Sequence, residues 1–338
     1  MKHMKWDLLS KVIPVFAYSI PTFVLIYPSF FVSFLTNTLQ LSYWESFGLV
    51  GMPFLGRIIG SMLYQFFRKD VYRPSMIILG LLTLAQGITN VYVLFPLRFF
   101  VGVLFGVLTT YAVEQAVYTK SNILLGFTTS GWAIGWILAY LSYLLVSSWV
   151  SISYSGIIII SLALLSTNMK ISHIKLQEKK IRLVPSIFSL VVYVSALTPA
   201  FVLEVVPNFL ERENSVWILF PSYLFSIFLY VFLPIIISRF NSKLLKSGIS
   251  LLVLVTGIFA FLYSPFFFMI FIPFGLAILS FIPKFLVEKG ENPKKVGVAL
   301  NIASVMGLII PVLSSLFSYF PEVILSFSMV ALLIVFLF

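Results

Sequence analysis

The sequence predicts an all-α polytopic membrane protein, with twelve transmembrane helices in two pseudo-symmetric six-helix bundles. Three observations predict it. Of the 338 residues, 60% are hydrophobic and only 10% are charged, whereas a soluble domain carries about 25% charge. Continuous apolar runs of membrane-spanning length, such as SYSGIIIISLALLSTN, recur from end to end; a transmembrane barrel would alternate in short segments instead. The basic residues also fall almost wholly on one side of the divided chain.

Pro, Gly and charge clusters place the helices at 12–36, 43–67, 74–93, 96–118, 122–146, 150–169, 184–208, 215–238, 247–263, 265–287, 295–318 and 320–338. The basic start, MKHMKWDLLSK, resembles a signal-peptide n-region. The apolar stretch after it holds Pro14, Pro21 and Pro28 and lacks a clear cleavage site, so it is read as a retained first helix. With the N-terminus inside, the cytoplasmic segments hold Lys2, Lys5, Lys11, Arg68, Lys69, Arg73 and Lys120, and later Arg239, Lys243, Lys246, Lys289, Lys294 and Lys295. The outer loops hold one basic residue, Arg212, between Glu211 and Glu213. This follows the positive-inside rule and expects a cell-membrane protein with both termini cytoplasmic.

The composition also excludes classes of function. With no cysteine, the chain has no disulfide and no thiolate metal site. Its two histidines, His3 and His173, lie in polar segments, and no His/Asp/Glu cluster has metal-ligand spacing. No Gly-rich loop followed by Lys-Ser/Thr is present. The reading expects no enzyme, no cofactor and no metal. The net charge of +11 lies in membrane-flanking loops, so no nucleic-acid partner is expected; the expected partners are the bilayer, a small solute and protons, with the chain a monomer.

The longest polar stretch, KISHIKLQEKKIR at 170–182, lies at the midpoint. It suggests a first bundle over 1–169, a cytoplasmic linker over 170–183 and a second bundle over 184–338. Internal likeness supports the division. FRKDVYRP follows the second helix and SRFNSKLLKSG the eighth. VEQAVYTKSNILLG follows the fourth and VEKGENPKKVGVALN the tenth. Parallel six-helix repeats organise the major facilitator transporters.

The resemblance extends to residues. GRIIGSMLYQFFRKDVYRP at 56–74 resembles that superfamily's helix 2–3 signature, a Gly-rich helix end followed by Asp-Arg-x-Gly-Arg-Lys. LRFFVGVLFG at 97–106 resembles its helix 4 signature, Arg-x-x-x-Gly, and PKKVGVALN with Gly307 and Pro311 resembles the start of helix 11. The signature Asp falls on Phe67 and its Gly on Asp70, while Arg68 and Arg73 keep their chemistry. The resemblance implies alternating access about a midplane site. The missing Asp implies either that the family's cytoplasmic lock is absent or that it shifts to other groups, such as Glu114 and Asp70.

A charged group inside a span costs about 2.5–3.5 kcal/mol on insertion scales and is a functional candidate. Arg57 lies eleven residues before Arg68, about 16 Å along a helix and near the midplane. It shares a face with Pro53, Gly60, Ser61 and Tyr64, and its second-half counterpart is Phe228. Two roles fit it: anchor for a carboxylate or phosphate through its planar donor fork, or structural bonding to backbone carbonyls. Arg98, with Gly102 and Gly106 at i+4 and i+8, is a coupling candidate by resemblance or an interfacial snorkelling residue. Glu204 is a proton carrier paired with Arg98, or an interfacial acid. Glu114 and its counterpart Glu288 fit gate salt bridges with Arg68, Arg73 or Lys294. Tyr64, Tyr111, Trp132, Tyr193 and Asn301 are candidate substrate contacts; Tyr18, Tyr27, Thr128, Trp136 and Tyr223 face the same expected cavity. With 16 Tyr and 36 Phe, packing is the competing role for each. Gly131 and Gly135 form a small-xxx-small pair suited to close helix packing.

The expected function is secondary transport of a small organic solute. Arg57 points to an organic anion, and the resemblance to a metabolite–proton symporter-like branch adds proton symport as an expectation. The alternatives are a multidrug or apolar-solute exporter, a sugar permease, and a membrane-embedded enzyme or scaffold without flux.

Overall fold

A computed structural model describes residues 2–67, 71–88, 90–166, 206–240, 243–288 and 292–303, with 196, 198, 199, 202 and 203 from the segment between. Every regular element among the described residues is helical. In the first half these are α1 (Lys2–Ile26), α2 (Val32–Leu39), α3 (Tyr43–Tyr64), α4 (Tyr72–Ala85), α5 (Val91–Tyr118), α6 (Asn122–Thr129), α7 (Gly131–Leu145) and α8 (Ser151–Leu165). In the second half they are α9 (Val206–Arg212), α10 (Leu219–Phe240), α11 (Lys243–Leu262), α12 (Phe268–Ala277), α13 (Phe281–Glu288) and α14 (Pro293–Ala303).

Local chemistry sets these boundaries. Ser42 and Glu45 form a capping box at the start of α3: Ser42 Oγ accepts from the Glu45 N–H at 3.3 Å and Glu45 Oε2 accepts from the Ser42 N–H at 2.8 Å. Ser121 caps α6 by accepting from the Leu124 N–H at 3.2 Å. Asn90 caps α5 by accepting from the Tyr92 N–H at 2.9 Å. That cap corrects an expected boundary. The expected break at Pro96 does not occur: α5 already begins at Val91 and carries Pro96 inside it. The true break lies between Ala85 and Val91, around Gly87 and Asn90. Pro28 does mark a change, because α1 tightens into a 3-10 turn over Tyr27–Phe31.

Five helical stretches among the described residues are long and apolar enough to cross a membrane: Val12–Phe31, Val91–Tyr118, Asn122–Leu145, Val216–Ile236 and Pro265–Pro283. Their outer faces are apolar too. Leu55 and Ile59 on α3, Ile157 and Ile158 on α8, and Phe225, Phe228 and Phe232 on α10 are all exposed, as in chains solvated by lipid. Phe228, the residue expected as the repeat counterpart of Arg57, is thus turned outward, whereas Arg57 is buried.

Small residues set the interior. Gly56 and Gly60 of α3 lie against the backbone of α5 at Phe99 and Val103, and Gly102 and Gly106 of α5 answer at Pro53 and Arg57. Gly131 and Gly135 of α7 bring it against Tyr18, Ser19 and Thr22 of α1, as the small-xxx-small pair predicts. α4 packs on α8 through Gly80 and Gly156. Among the described residues, the sequence halves meet chiefly where α10 packs on α6 and α7 and where α14 packs on α5 and α3. At each seam one glycine allows close approach. A Cβ on Gly126 would meet the Tyr230 carbonyl at 2.6 Å, and one on Gly297 would meet the Thr110 carbonyl at 2.7 Å.

Candidate functional site

Arg57 stands where α3, α5 and α14 converge. Close approach of α3 to α5 carries its side chain inward, and it is only 5% exposed. Its Nε donates to Asn301 Oδ1 at 2.7 Å. Its guanidinium carbon lies 4.6 Å from the Phe105 ring centre and 5.7 Å from that of Trp132, in cation–π range. The Tyr18 hydroxyl faces the same group. No carboxylate among the described residues pairs with it.

Asn301 is itself fixed from several sides. Its Nδ2 donates to Thr110 Oγ1 at 2.8 Å and to the Gly297 carbonyl at 3.1 Å. Its Oδ1 also accepts from Thr109 Oγ1 at 3.0 Å. Gly297 lets α14 come close enough for this, so the glycine at the seam and the amide at the site belong to one arrangement. The outcome is a rigid polar bridge from residue 57 to residue 301, deep in an apolar interior.

Aromatic walls surround the bridge. Thr128, Trp132 and Trp136 are buried and spaced i, i+4, i+8, which puts them on one stripe of the α6–α7 span. Tyr223 and Tyr230 are spaced i, i+7 on the facing helix α10 and are likewise buried. Trp136 and Tyr223 stack in parallel across the seam, with centroids 4.2 Å apart and planes inclined by 1°. Phe105 lies edge-on to Trp132 and to Tyr18. Tyr230 lies near Tyr18 and Tyr223. The buried Trp132 Nε1, Thr128 Oγ1 and Tyr230 hydroxyl have no hydrogen-bond partner among the described residues.

A second cluster lies about 10 Å further along α3, seven residues past Arg57. Tyr64 donates to Glu114 Oε2 at 2.5 Å. Tyr118 and Lys294 face the same carboxylate. Lys294 Nζ donates to the Phe67 carbonyl at 2.7 Å and lies 5.3 Å from the Tyr64 ring centre. Phe67 is where the family resemblance expects an acid, and its backbone oxygen receives the second-half lysine. Tyr64 is therefore turned to Glu114 rather than to Arg57, although the two share a helix face. Tyr111 stacks on Tyr72 at 5.9 Å, on the α4 side of α5.

Arg98 is 1% exposed, not a snorkelling surface residue. Its donors reach the carbonyls of Val24 at 3.1 Å, Leu25 at 2.8 Å and Leu49 at 3.4 Å, and Gln86 Oε1 at 3.3 Å. It ties α1 and α3 to the loop after α4. Arg73 Nη2 donates to the Ser166 carbonyl at 2.9 Å, joining α4 to the end of α8. Tyr27 bonds Ser151 and so lies away from Arg57. Tyr193, Glu204 and Arg68 lie outside the described residues, as does the side chain of Glu288.

The structure thus brings Arg57, Trp132 and Asn301 together and sets Tyr64 and Glu114 apart in their own cluster. Sequence reasoning missed Phe105, Tyr230, Thr109, Thr110 and Tyr118. The i+7 spacing of Tyr230 from Tyr223 was an available signal. Phe105 carried none in a chain so rich in Phe.

No protein-family profile matches the chain, and no curated protein does. Solved structures do match. One is described as "Crystal structure of a Major Facilitator Superfamily (MFS) transporter, FucP, in the outward conformation"; it is 14% identical, with 97% of this chain and 98% of that chain covered at a TM-score of 0.68. The likeness is one of fold across nearly the whole of both chains.

Proposed function

We propose that this chain, which carries the major facilitator fold, is a secondary transporter that moves a small organic anion by alternating access. One observation supports this above the rest. Arg57 is buried without a carboxylate partner among the described residues, where the sequence halves meet. A buried cation without a counter-ion is costly, and an anionic solute supplies the missing charge through the guanidinium donor fork.

In this reading the two bundles, 1–169 and 184–338, rock about the Arg57–Asn301 level. Contacts of Lys294 with Phe67 and of Gly297 with Thr110 close the basic end, which the positive-inside pattern assigns to the cytoplasm. Opening that end requires α14 to leave α3 and α5, which breaks the Arg57–Asn301 bond. Solute binding and closure are then linked through one hydrogen bond. Glu114 is the proposed site of proton coupling, because its carboxylate sits at the closing contact. In this reading the protein works as a monomer in the cell membrane with both termini inside.

The test is a thermal-stability screen of purified protein with mono- and dicarboxylates, phosphorylated metabolites, sugars and lipophilic cations. A ligand that binds the folded state raises Tm with concentration. The expected result is a shift by an organic anion in wild type that is lost in Arg57→Ala, followed by flux of that anion into proteoliposomes. Equal shifts of both proteins by neutral or lipophilic compounds would replace this reading with an apolar-solute exporter, which the aromatic walls favour.

A further inference from the structure

We infer that the solute is an aromatic monocarboxylate, bound with its carboxylate at Arg57 and its ring against Trp132 and Tyr230, on the Arg57 side of the closed Trp136–Tyr223 pair. This rests on the anion reading above and narrows it. Charge sets the head group. Arg57 is the cation at this level among the described residues, and Asn301, Thr109 and Thr110 beside it are neutral. A monoanion balances the site; a dianion would leave a second buried charge without a partner.

The unused donors set where the head group sits. Nε of Arg57 is taken by Asn301. Trp132 Nε1 can only donate, and the Tyr230 and Thr128 hydroxyls can donate or accept. All three residues are at most 2% exposed, and these groups lack partners among the described residues. Trp132 lies beside the guanidinium, and Tyr230 lies near Tyr18, whose hydroxyl faces the same group. A carboxylate at Arg57 gives Trp132 an acceptor that the described residues do not supply. An oxygen on the ring does the same for Tyr230 or Thr128.

The walls set the body. The side chains beside Arg57 are aromatic: Phe105 and Trp132 lie within cation–π range of its guanidinium, and the Tyr18 hydroxyl faces it. The parallel Trp136–Tyr223 pair spans the seam between the halves. A flat π-ring continues edge-to-face and offset-stacked geometry, whereas a saturated ring is thicker and has no π-face. A neutral arene would fill the walls and leave Arg57 uncompensated.

The experiment titrates purified full-length protein with benzoate, 4-hydroxybenzoate, cyclohexanecarboxylate, propionate and benzyl alcohol, read by Tm shift and Trp fluorescence. The proteins are wild type, Arg57→Gln, Trp132→Phe and Tyr230→Phe. Arg57→Gln retains a hydrogen-bonding partner for Asn301, and the two Phe variants keep a ring while removing one polar group. Folding is checked by elution profile and unliganded Tm. The expected result is that the benzoates bind at least about tenfold more tightly than cyclohexanecarboxylate, with loss in Arg57→Gln. Trp132→Phe should weaken benzoate about tenfold, and Tyr230→Phe should weaken 4-hydroxybenzoate more than benzoate. Equal, Arg57-dependent binding of cyclohexanecarboxylate or propionate would overturn the aromatic inference and leave the anion reading standing. Benzyl alcohol binding equally to wild type and Arg57→Gln would overturn both. Binding of none of the five compounds by folded wild type also overturns the inference.

Discussion

Arg57 and Asn301 are 244 positions apart in the sequence and joined by a 2.7 Å hydrogen bond from Nε to Oδ1. The bond links α3 to α14. It places a charge-bearing group and a conformational contact at one point.

Asn301→Asp tests the counter-ion argument directly. An aspartate there gives Arg57 an internal carboxylate, with which the proposed solute anion would have to compete. The expectation is a fall of at least about tenfold in anion affinity while the protein still folds, measured by Tm-shift titration. Undiminished anion binding would show that the guanidinium charge is not what the solute uses.

Gly297→Val tests the closure. The new side chain would meet the Thr110 carbonyl at 2.7 Å and its Cα at 2.9 Å, and backbone cannot yield as a side-chain tip can. The basic end should lose its closed state. Because the sequence has no cysteine, spin labels placed on Lys120 and Lys295 through introduced cysteines will report distances on an otherwise native chain. The expected outcome is a longer mean distance in the variant; an unchanged distribution would mean that α14 does not form the gate.

Tyr64→Phe removes the hydroxyl that donates to Glu114 at 2.5 Å. A hydrogen bond to a charged group is worth about 1.5–3 kcal/mol, so the closed state should lose on the order of 2 kcal/mol. Glu114→Gln should abolish any pH dependence of uptake if this carboxylate carries the proton, with Tyr64, Tyr118 and Lys294 as the groups around it. Proteoliposome flux measured across a pH series decides it; a wild-type pH profile in Glu114→Gln removes the carboxylate from coupling.

Arg98→Lys should not rescue Arg98→Gln. The guanidinium spreads its donors over the carbonyls of Val24, Leu25 and Leu49 and over Gln86 Oε1. An ammonium is a point donor that cannot span them. Both variants should lose roughly 3 kcal/mol of stability through unsatisfied buried carbonyls, seen as a lower unliganded Tm. Retained ligand shifts at the lower Tm would identify Arg98 as a structural tie.

The sequence by itself determined the helical membrane class, because apolar runs and excluded charge act through local chain chemistry. It also determined that Arg57 was exceptional, since a cation amid apolar residues stands out in any frame. The close packing of Gly131 and Gly135 was legible for the same reason: small residues at i, i+4 specify close approach without naming the partner. Only the tertiary structure decided which groups meet. Tyr64 and Arg57 share a helix face, yet one turns to Glu114 and the other to Asn301, because different partners face α3 at the two depths. Arg98 reads from sequence as a residue near a helix start, but burial among three carbonyls makes it a tie between elements. The site depends on side chains from distant positions converging, and local periodicity gives the face of a helix without giving what packs on it.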